Sequence, residues 1–483
     1  MTAAGRDAIV IGGGCAGLIA ATYLARAGLK TTVLEARPHA GGISGVLSLG
    51  AQGAGVHAVA ALDRKVIKEL SLGRRGIKFI ARDLPLVGLR DDGRHVVIVR
   101  NSRATADGIA AHSSRDAANY HRFRRSLFEE ARKARRFWWR DRDVDDANEP
   151  LALHRLARQS ALTLLDSWFE CDAVKAPLAF DACEGGLSVE EPPSALVLLW
   201  RAAQENSGLQ AAVGALPNSL VPLLEERARA AGAEIVTSAR VGRILVRDRA
   251  VKGVALASGA EFPSPLVLSS VSRPLTRALL PPAELGIGET LWPSKRSVGA
   301  ARIRLVLDLA GDTASPFRTA ARFVVGESLE TYVAAHEAAR EGRIPPDLVF
   351  EATGAPLESH YELSILVRPL PAQTSQGWKN DALPLLAKVI ARLSRFDRGL
   401  KDRLRQFRVA TPADLAAIHG ETESPIADHL LSSTRARTET AVDGLYLCGT
   451  DSEPVNLLSG RSARRAALSA LLTHAARANG RAA

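Results

Sequence analysis

The first apolar residues of the chain follow the pattern of a strand, a turn and a helix. Ala8 to Ile11 are all apolar, as expected of a short parallel strand that is buried on both faces. A glycine-rich turn follows, and from Leu18 to Ala27 apolar residues recur at helical spacing until Gly28 ends the pattern. A second strand-like run spans Thr31 to Leu34. This order predicts a βαβ unit at the start of the chain.

The turn of this unit matches G-x-G-x-x-G from Gly12 to Gly17, with Cys15 and Ala16 before the last glycine. Gly12 permits a tight turn, Gly14 lets the backbone approach a pyrophosphate, and Gly17 lets the helix pack closely against the strand. The helix N-terminus then offers N–H groups and a partial positive charge to a diphosphate. The turn therefore predicts a dinucleotide site.

The residues after the second strand favour FAD over a nicotinamide dinucleotide. Glu35 is expected to accept hydrogen bonds from the adenosine ribose, and its charge disfavours a 2′-phosphate. Ala36 and Arg37 follow, and then Gly41 and Gly42. In FAD-binding chains an acid followed by a basic residue and a glycine pair continues the cofactor site; without the fingerprint, the pair would also fit an ordinary turn. The chain has no second G-x-G-x-x-G, so no separate nicotinamide domain is expected.

The C-terminal part of the chain predicts a second strand, loop and helix. Residues 444–449 have the pattern of a turn and a buried strand, and a helical pattern runs over residues 461–475. This arrangement places another helix N-terminus where a flavin or its ribityl chain can lie. Gly449, Asp451 and Leu458 are therefore predicted to contact the cofactor. Asp451 suits a ribityl hydroxyl, and it suits a helix cap equally well.

Composition narrows the classes of partner. The chain has 483 residues, 46% of them apolar, and a formal net charge of +11. The charge favours anionic partners, but no zinc-finger or RNA-binding spacing accompanies it, which argues against nucleic acid.

The four cysteines form no CxxC pair and no metal-ligand spacing, so we expect no metal, no disulfide-reductase chemistry and a reducing, cytoplasmic location. Glycines interrupt the first apolar run, so no export signal is expected, and no stretch reaches the roughly 20 apolar residues of a membrane span.

A basic stretch at residues 115–142 is interleaved with apolar residues at helical spacing. They are Tyr120, Phe123, Leu127, Ala131, Ala134 and Trp138. The favoured interpretation is a helix with one face in the core and a solvated arginine face. The alternative is peripheral contact with an anionic membrane surface, at the inner face of a membrane.

The two ends of the chain together resemble the phytoene-dehydrogenase-related branch of FAD-dependent oxidoreductases. This branch includes carotenoid desaturases and isomerases, and the pyridine-nucleotide-disulfide-oxidoreductase-domain proteins. Residues 164–170, 175–181, 231–237 and 241–246 also match it. The resemblance implies an α/β fold, with a Rossmann-like FAD-binding domain of the GR2 type interleaved with an α+β substrate domain. The implied FAD domain comprises residues 1–70, 212–292 and 430–483, and the implied substrate domain comprises residues 71–211 and 293–429.

The resemblance also implies an order of strands in the middle of the chain. Ile235 to Ser238 would extend the parallel sheet, and Val241–Val246 and Val251–Leu256 would form antiparallel strands. Leu266 to Ser269 would then return the chain to the parallel sheet. Val241 would contact the adenine through its backbone.

One loop departs from the family pattern. Many relatives have a His-Pro-Gly-Gly-Gly-Val-like loop after the C-terminal strand, whereas residues 453–458 here are Glu-Pro-Val-Asn-Leu-Leu. Side chains then occupy space that glycines would leave open next to the flavin. The loop predicts either a reshaped substrate face or a loss of flavin chemistry.

The function implied by the resemblance is FAD-dependent dehydrogenation or desaturation of a small apolar molecule that is isoprenoid- or lipid-like. An amine oxidase is the nearest alternative, although residues 450–465 lack the aromatic pair expected there. A flavin-dependent isomerase and a non-catalytic FAD-binding module also stay open. No catalytic residue is assigned: His57 follows the glycine pair closely, but the sequence places no partner beside it.

Overall fold

The computed structural model describes residues 5–42, 59–60, 62–72, 78–81, 84–138, 151–206, 211–214, 220–281, 297–309, 315–319, 321–356, 360–419, 438–449, 452 and 460–478. The strands are β1 (Ala8–Ile11), β2 (Thr31–Leu34), β3 (Val59–Ala60), β4 (Lys78–Ala81), β5 (Leu86–Leu89), β6 (Val96–Ile98), β7 (Ala211–Gly214), β8 (Glu234–Val236), β9 (Val241–Arg247), β10 (Ala250–Leu256), β11 (Glu261–Pro263), β12 (Val267–Ser269), β13 (Val298–Asp308), β14 (Arg322–Val325), β15 (Phe350–Pro356), β16 (His360–Pro371), β17 (Leu404–Ala410) and β18 (Leu445–Leu447). The helices are α1 (Cys15–Arg26), α2 (Arg64–Glu69), α3 (Ser102–Ile109), α4 (Ser114–Trp138), α5 (Leu151–Ala157), α6 (Ala161–Asp166), α7 (Asp172–Ala182), α8 (Ser194–Asn206), α9 (Leu220–Ala230), α10 (Arg273–Ala278), α11 (Leu329–Arg340), α12 (Trp378–Leu393), α13 (Leu400–Arg403), α14 (Pro412–His419) and α15 (Arg461–Ala478).

A five-stranded parallel sheet contains both ends of the chain. Its strand order is β18-β12-β1-β2-β8, and β1 lies between β2 and β12. The chain therefore leaves β1 toward one side of the sheet and later returns on the other side. In open parallel sheets, ligands bind at such a switch point, outside the carboxyl ends of the strands. The predicted α/β fold with a Rossmann-like sheet is confirmed.

Each face of the parallel sheet packs against a different layer. Helices α1, α9 and α15 form one apolar core with residues such as Val10 and Leu268. On the other face, β9, β10 and β11 form an antiparallel sheet, and a second core joins its Ile244 and Val254 to Ile9 of β1. The predicted antiparallel strands and the return at β12 are confirmed. Because the sheet is covered on both faces, its strands are apolar throughout, which is why they lack a period of two.

A second, seven-stranded sheet has the order β17-β13-β16-β15-β14-β5-β6. Its strands pair antiparallel except for β5 and β14, which are parallel. Helix α12 packs its Trp378, Leu385 and Val389 on one face. Helices α3 to α8 and α11 form a separate core with the β5–β6–β14 end of the sheet.

Buried charges join the helical layer to this sheet. Arg322 of β14 donates hydrogen bonds to Asp181 of α7 at 2.6 Å and to Glu351 of β15 at 2.8 Å. Arg201 of α8 also contacts Asp181, at 3.2 Å. Burial by itself would raise the pKa of Asp181, but the neighbouring arginines outweigh this effect and hold the pKa well below its usual range. The carboxylate therefore stays charged, and the cluster ties the helices to the sheet.

The two large sheets separate along the predicted domain segments. All five parallel strands come from residues 1–70, 212–292 and 430–483, and all seven strands of the second sheet come from residues 71–211 and 293–429. The small sheet β3-β7-β4 combines strands from both sets. The domain boundaries themselves stay a prediction.

The basic stretch forms the helix α4, and its apolar face is buried. Tyr120, Phe123, Ala131, Ala134 and Trp138 lie in the core. The ring of Trp138 meets Trp200 edge-on, with 4.8 Å between centroids. The core-facing interpretation of this helix is therefore confirmed, whereas membrane contact stays a prediction. Among the described residues, no helix is both long and apolar enough to cross a bilayer.

Candidate functional site

The glycine turn after β1 brings the start of α1 against the strand. Gly12 has a φ of +92°, which side-chain-bearing residues rarely adopt. A Cβ on Gly17 would lie 2.1 Å from the carbonyl oxygen of Gly12, so only glycine allows this approach. The second glycine segment packs beside the first, because the N–H of Gly41 donates to the carbonyl of Gly13 at 2.9 Å. Gly42, at φ +57°, lies against Gly14.

The N-terminus of α1 has the properties of an anion site. The helix is 12 residues long, Gly14 is its N-cap residue, and no side chain caps it. Its first turn, which contains Cys15 and Ala16, has no acidic residue. First-turn N–H groups have no carbonyl partner within their own helix, and the helix dipole adds partial positive charge. These features fit a diphosphate.

Glu35 is held beside this helix terminus by backbone donors. It directly follows β2 and is only 7% exposed. The N–H of Gly13 donates to its Oε2 at 2.7 Å, and the N–H of Arg37 donates to its Oε1 at 2.9 Å. Each carboxylate oxygen accepts more than one hydrogen bond, so both can also accept from ribose hydroxyls. The Arg37 guanidinium donates to the carbonyl of Gly42 at 3.0 Å, which closes the segment around Ala36 onto the glycine pair.

The segment before β9 makes backbone hydrogen bonds to the segment that contains Glu35. The N–H of Ala239 donates to the carbonyl of Glu35, and the N–H of Ser238 donates to that of Arg37, both at 2.8 Å. Val241 begins β9 and is buried. This pairing brings Val241 to the side of the site where the adenosine is predicted.

The C-terminal strand ends at the same edge of the sheet. The N–H of Cys448 donates to the carbonyl of Ser269 at 2.8 Å, and Gly449 follows as a buried residue. The structure thus brings twelve of the fourteen predicted cofactor residues to this region. Asp451 and Leu458 lie outside the described residues, as do the loop 453–458 and His57.

Two arginines in the first turn of α15 hold α2 in place. Arg461 pairs with Asp63, the N-cap residue of α2. Arg464 donates to both oxygens of Glu69, at 2.7 and 3.0 Å, and the Tyr23 hydroxyl donates to the same carboxylate at 2.7 Å. The bond from Arg464 lowers the pKa of Glu69, and burial together with the bond to Glu69 raises the pKa of Tyr23. These contacts fix the helix that follows the predicted flavin-side loop.

Ser270, which was not predicted from the sequence, links β12 to the glycine turn. Its hydroxyl lies 2.8 Å from the carbonyl oxygen of Ile11 and 2.9 Å from that of Gly12. It also fills the space beside Gly17, where a Cβ would come within 2.8 Å of it. The only signal in the sequence is its position directly after a strand that was expected to return the chain to the parallel sheet.

We expect Ser270→Ala to raise the Kd for FAD about fivefold, because losing one hydrogen bond of about 1 kcal/mol lets the turn shift. Ser264→Ala is the matched control. Ser264 donates to the carbonyl of Leu266 at 2.8 Å near the opposite end of β12. Both variants should lose similar stability, and only the first should weaken binding. Equal Kd values in a fluorescence titration with FAD would show that Ser270 does not support the site.

The cysteines and the acidic side chains do not point to a metal or a disulfide. None of the four cysteines forms a disulfide. In the part of the chain that the structure describes, no three His, Cys, Asp or Glu side chains are grouped so as to hold a metal ion. The described residues at the glycine turn fit the adenosine and diphosphate parts of FAD. The N–H groups at the start of α1 can bind the diphosphate, the glycines leave room for its close approach, and Glu35 can accept hydrogen bonds from the ribose.

Comparisons with known proteins agree with this geometry. A family model described as an NAD(P)-binding Rossmann-like domain matches residues 10–46. The chain is 27% identical, over an alignment 549 positions long, to pyridine nucleotide-disulfide oxidoreductase domain-containing protein 2 of Rattus norvegicus, and the match covers 95% of this chain and 92% of that protein. It is 28% identical over 275 residues to one of the polypeptides of limonene dehydrogenase from Castellaniella defragrans, covering 53% of this chain and 49% of that polypeptide.

Among solved structures, a triple variant of putrescine oxidase redesigned at its cofactor site superposes with a TM-score of 0.61. The two are 15% identical, and the match covers 97% of this chain and 99% of that one. The fold is therefore that of FAD-dependent oxidoreductases. The predicted similarity to the pyridine-nucleotide-disulfide-oxidoreductase-domain proteins is confirmed, whereas the similarity to phytoene dehydrogenases in particular stays a prediction.

Proposed function

We propose that the protein is a FAD-dependent oxidoreductase that moves a hydride between a C–H bond of a small, largely apolar substrate and the flavin. The observation that carries the proposal is the dinucleotide cradle at the switch point of the parallel sheet, with a second sheet beside it in the same chain. FAD supplies hydride chemistry when it is bound, and the protein supplies position and surroundings.

The residues of the chain have separate tasks in this proposal. The N-terminus of α1 binds the diphosphate, and Glu35 orients the adenosine through its ribose. Ser270 and the glycine contacts hold the turn at the distance that the cofactor requires. Arg461 and Arg464 position the start of α15, which follows the predicted flavin-side loop. None of these residues takes up or releases a proton of the substrate.

Dehydrogenation of an isoprenoid- or lipid-like chain is the finer form of the proposal. Its support is the resemblance to the phytoene-dehydrogenase-related branch, together with a relative whose name assigns it to a limonene dehydrogenase. Amine oxidation is the second candidate, and its support is the fold likeness to putrescine oxidase. The lack of an aromatic residue in positions 450–465 favours the first candidate.

Anaerobic reduction of the flavin tests the proposal. The FAD-loaded protein is mixed without oxygen with limonene, with a longer isoprenoid hydrocarbon or with putrescine, and the visible flavin band is followed. We expect an isoprenoid to bleach the band and putrescine to leave it unchanged. Bleaching by putrescine alone would replace the finer proposal with amine oxidation. If neither class bleaches the band but added dithionite does, the non-catalytic module becomes the better account.

A further inference from the structure

A groove that is open to solvent lies where three strands of the parallel sheet begin, and its volume is about 500 Å³. Arg6, Pro265 and Asp443 line it, and they lie just before β1, β12 and β18. The glycine turn follows the other end of β1, so the groove and the cofactor site lie at opposite edges of the sheet. Small-molecule sites have volumes of about 300–1,000 Å³. The groove is therefore large enough for a small ligand of its own.

The charged residues of the groove come from separate parts of the chain. Arg6 precedes β1, Lys252 lies in β10, and Arg477 lies in the last turn of α15. Among the described residues that line the groove, Asp443 is the acid that accompanies these three cations. Glu234 lies outside the lining and pairs with Arg6 at 3.2 Å, with 57% of its side chain exposed. The positive charges outnumber the negative ones even when Glu234 is included.

Arg6 is held in place by the residues around it. Its Nε donates a hydrogen bond to the Thr32 hydroxyl at 2.8 Å, and its guanidinium lies over the ring of Phe262, 4.7 Å from the centroid. With the bond to Glu234, Arg6 uses two of the five N–H groups that a guanidinium has. Arg6 therefore keeps donors for a ligand, and ordering it costs little side-chain entropy when the ligand binds.

Arg477 is fixed in a similar way at the other wall of the groove. Its Nη1 donates to the carbonyl of Pro265 at 3.0 Å, and its Nη2 donates to a carboxylate oxygen of Asp443 at 2.7 Å. Asp443 thereby orients Arg477, and these bonds again use two of the five guanidinium N–H groups. The acid of the groove is thus part of the support of a cation that keeps donors for a ligand.

Lys252 is the extra residue of a β-bulge. The register between β9 and β10 shifts between Val251 and Gly253, and Lys252 lies at the shift. A Cβ on Gly253 would lie 2.2 Å from the carbonyl oxygen of Phe262, so glycine is needed beside the bulge. Bulges change the direction in which a side chain points. Lys252 is exposed, and its ammonium makes no hydrogen bond or ion pair within the part of the chain that the structure describes.

The arrangement of the cations indicates the kind of anion that the groove accepts. A single guanidinium can saturate a planar carboxylate through two parallel hydrogen bonds. A phosphate group has tetrahedral oxygens, which accept hydrogen bonds from several directions, and it carries about two negative charges at neutral pH. Cations on three separate segments match that geometry. The lining also includes Val251, Pro263 and Pro265, which offer apolar contact to a carbon group.

We propose that this groove binds the phosphate group of a small organic phosphate ester. Arg6, Lys252 and Arg477 donate to the phosphate oxygens, and the carbon group lies against the apolar part of the lining. The groove is separate from the cofactor site, so this inference goes beyond the proposed function and does not rest on it. A bound ligand joins the segments that lead into β1, β12 and β18, and it thereby stabilises the folded protein.

Calorimetric titration of the full-length, FAD-loaded protein at low salt tests this inference with phenyl phosphate, inorganic phosphate, benzoate and phenol. We expect phenyl phosphate to bind about tenfold more tightly than each of the others, because it alone combines tetrahedral oxygens with an apolar ring. Benzoate that binds as tightly overturns the choice of a phosphate. Inorganic phosphate that binds as tightly overturns the ester and identifies free phosphate as the ligand. If none of the four binds, the inference is wrong.

Variants of Lys252 test whether the groove carries the binding, since an exposed lysine can be changed with little effect on folding. We expect Lys252→Gln to weaken phenyl phosphate binding about tenfold, and Lys252→Arg to keep it within about threefold. Lys379→Gln is the matched control, because Lys379 is an exposed lysine in the first turn of α12, on the other large sheet. A loss in the control as large as that in Lys252→Gln would show that only general charge attraction acts.

The FAD content of the protein separates this inference from the proposed function. We expect saturating phenyl phosphate to leave the bound FAD in place, since the groove lies at the opposite edge of the sheet. Displacement of FAD would place the binding at the start of α1 and overturn the inference. A protein that binds no FAD, but binds phenyl phosphate through Lys252, would remove the proposed function and keep the phosphate site.

Discussion

Gly17→Ala is expected to weaken the binding of FAD strongly. The new Cβ would lie 2.1 Å from the carbonyl oxygen of Gly12, which belongs to the backbone and cannot swing aside. The start of α1 must therefore move away from β1, and the first-turn N–H groups move away from the diphosphate with it. Overpacking of this kind destabilises the fold by about 1–3 kcal/mol. We expect the Kd for FAD to rise by tenfold or more, since each 1.4 kcal/mol of lost binding corresponds to a factor of about ten.

Gly108→Ala provides the control for this substitution. Gly108 lies in the exposed part of α3, and a Cβ there would meet no atom within 4 Å. Because alanine favours helix more than glycine does, the control should be stabilised by about 0.5–1 kcal/mol and should bind FAD unchanged. The measurement is a fluorescence titration of FAD-depleted protein, together with a thermal melt. Unchanged FAD affinity in Gly17→Ala would contradict the close approach of α1 to β1.

Glu35→Gln is expected to weaken FAD binding by about 10- to 100-fold. The carboxylate accepts the N–H groups of Gly13 and Arg37, one at each oxygen. An amide replaces one oxygen with a donor, so one of these buried N–H groups then faces another donor. Losing a hydrogen bond to a charged group costs about 1.5–3 kcal/mol. The ribose hydroxyls also lose one of the two acceptor oxygens of Glu35.

The control for the acid is Glu234→Gln, in the neighbouring strand of the same sheet. The side chain of Glu234 is 57% exposed and pairs with Arg6 at 3.2 Å. Exposed pairs contribute about 1 kcal/mol or less, so this variant should keep its FAD affinity. The comparison uses the Kd for FAD of both variants at one salt concentration. A Glu35→Gln protein that binds FAD as tightly as the control would show that the acid does not contact the cofactor.

The N-terminal half of the site was predictable because its signals are local. Gly12, Gly17 and Glu35 each serve a backbone need that recurs wherever a strand, a tight turn and a helix meet a diphosphate. Short apolar runs bounded by glycines also predicted the buried parallel strands, although the helix begins three residues earlier than its apolar pattern. The pattern starts at Leu18, whereas the helix starts at Cys15 because glycine and alanine are tolerated in its first turn.

The remaining features depend on contacts between distant parts of the chain. Ser270 matters because β12 pairs with β1 across more than 250 residues, and nothing next to it in sequence indicates that neighbour. Arg461 and Arg464 are two of many arginines, and their roles appear only once α15 packs on α2.

The visible absorbance spectrum of purified, desalted protein, with the heat-released cofactor identified by chromatography, tests the central claim most directly. We expect a flavin spectrum and one FAD for each chain, because the sequence contains one dinucleotide fingerprint. A colourless protein that also fails to take up added FAD would show that the glycine turn, the helix terminus and Glu35 do not form a FAD site.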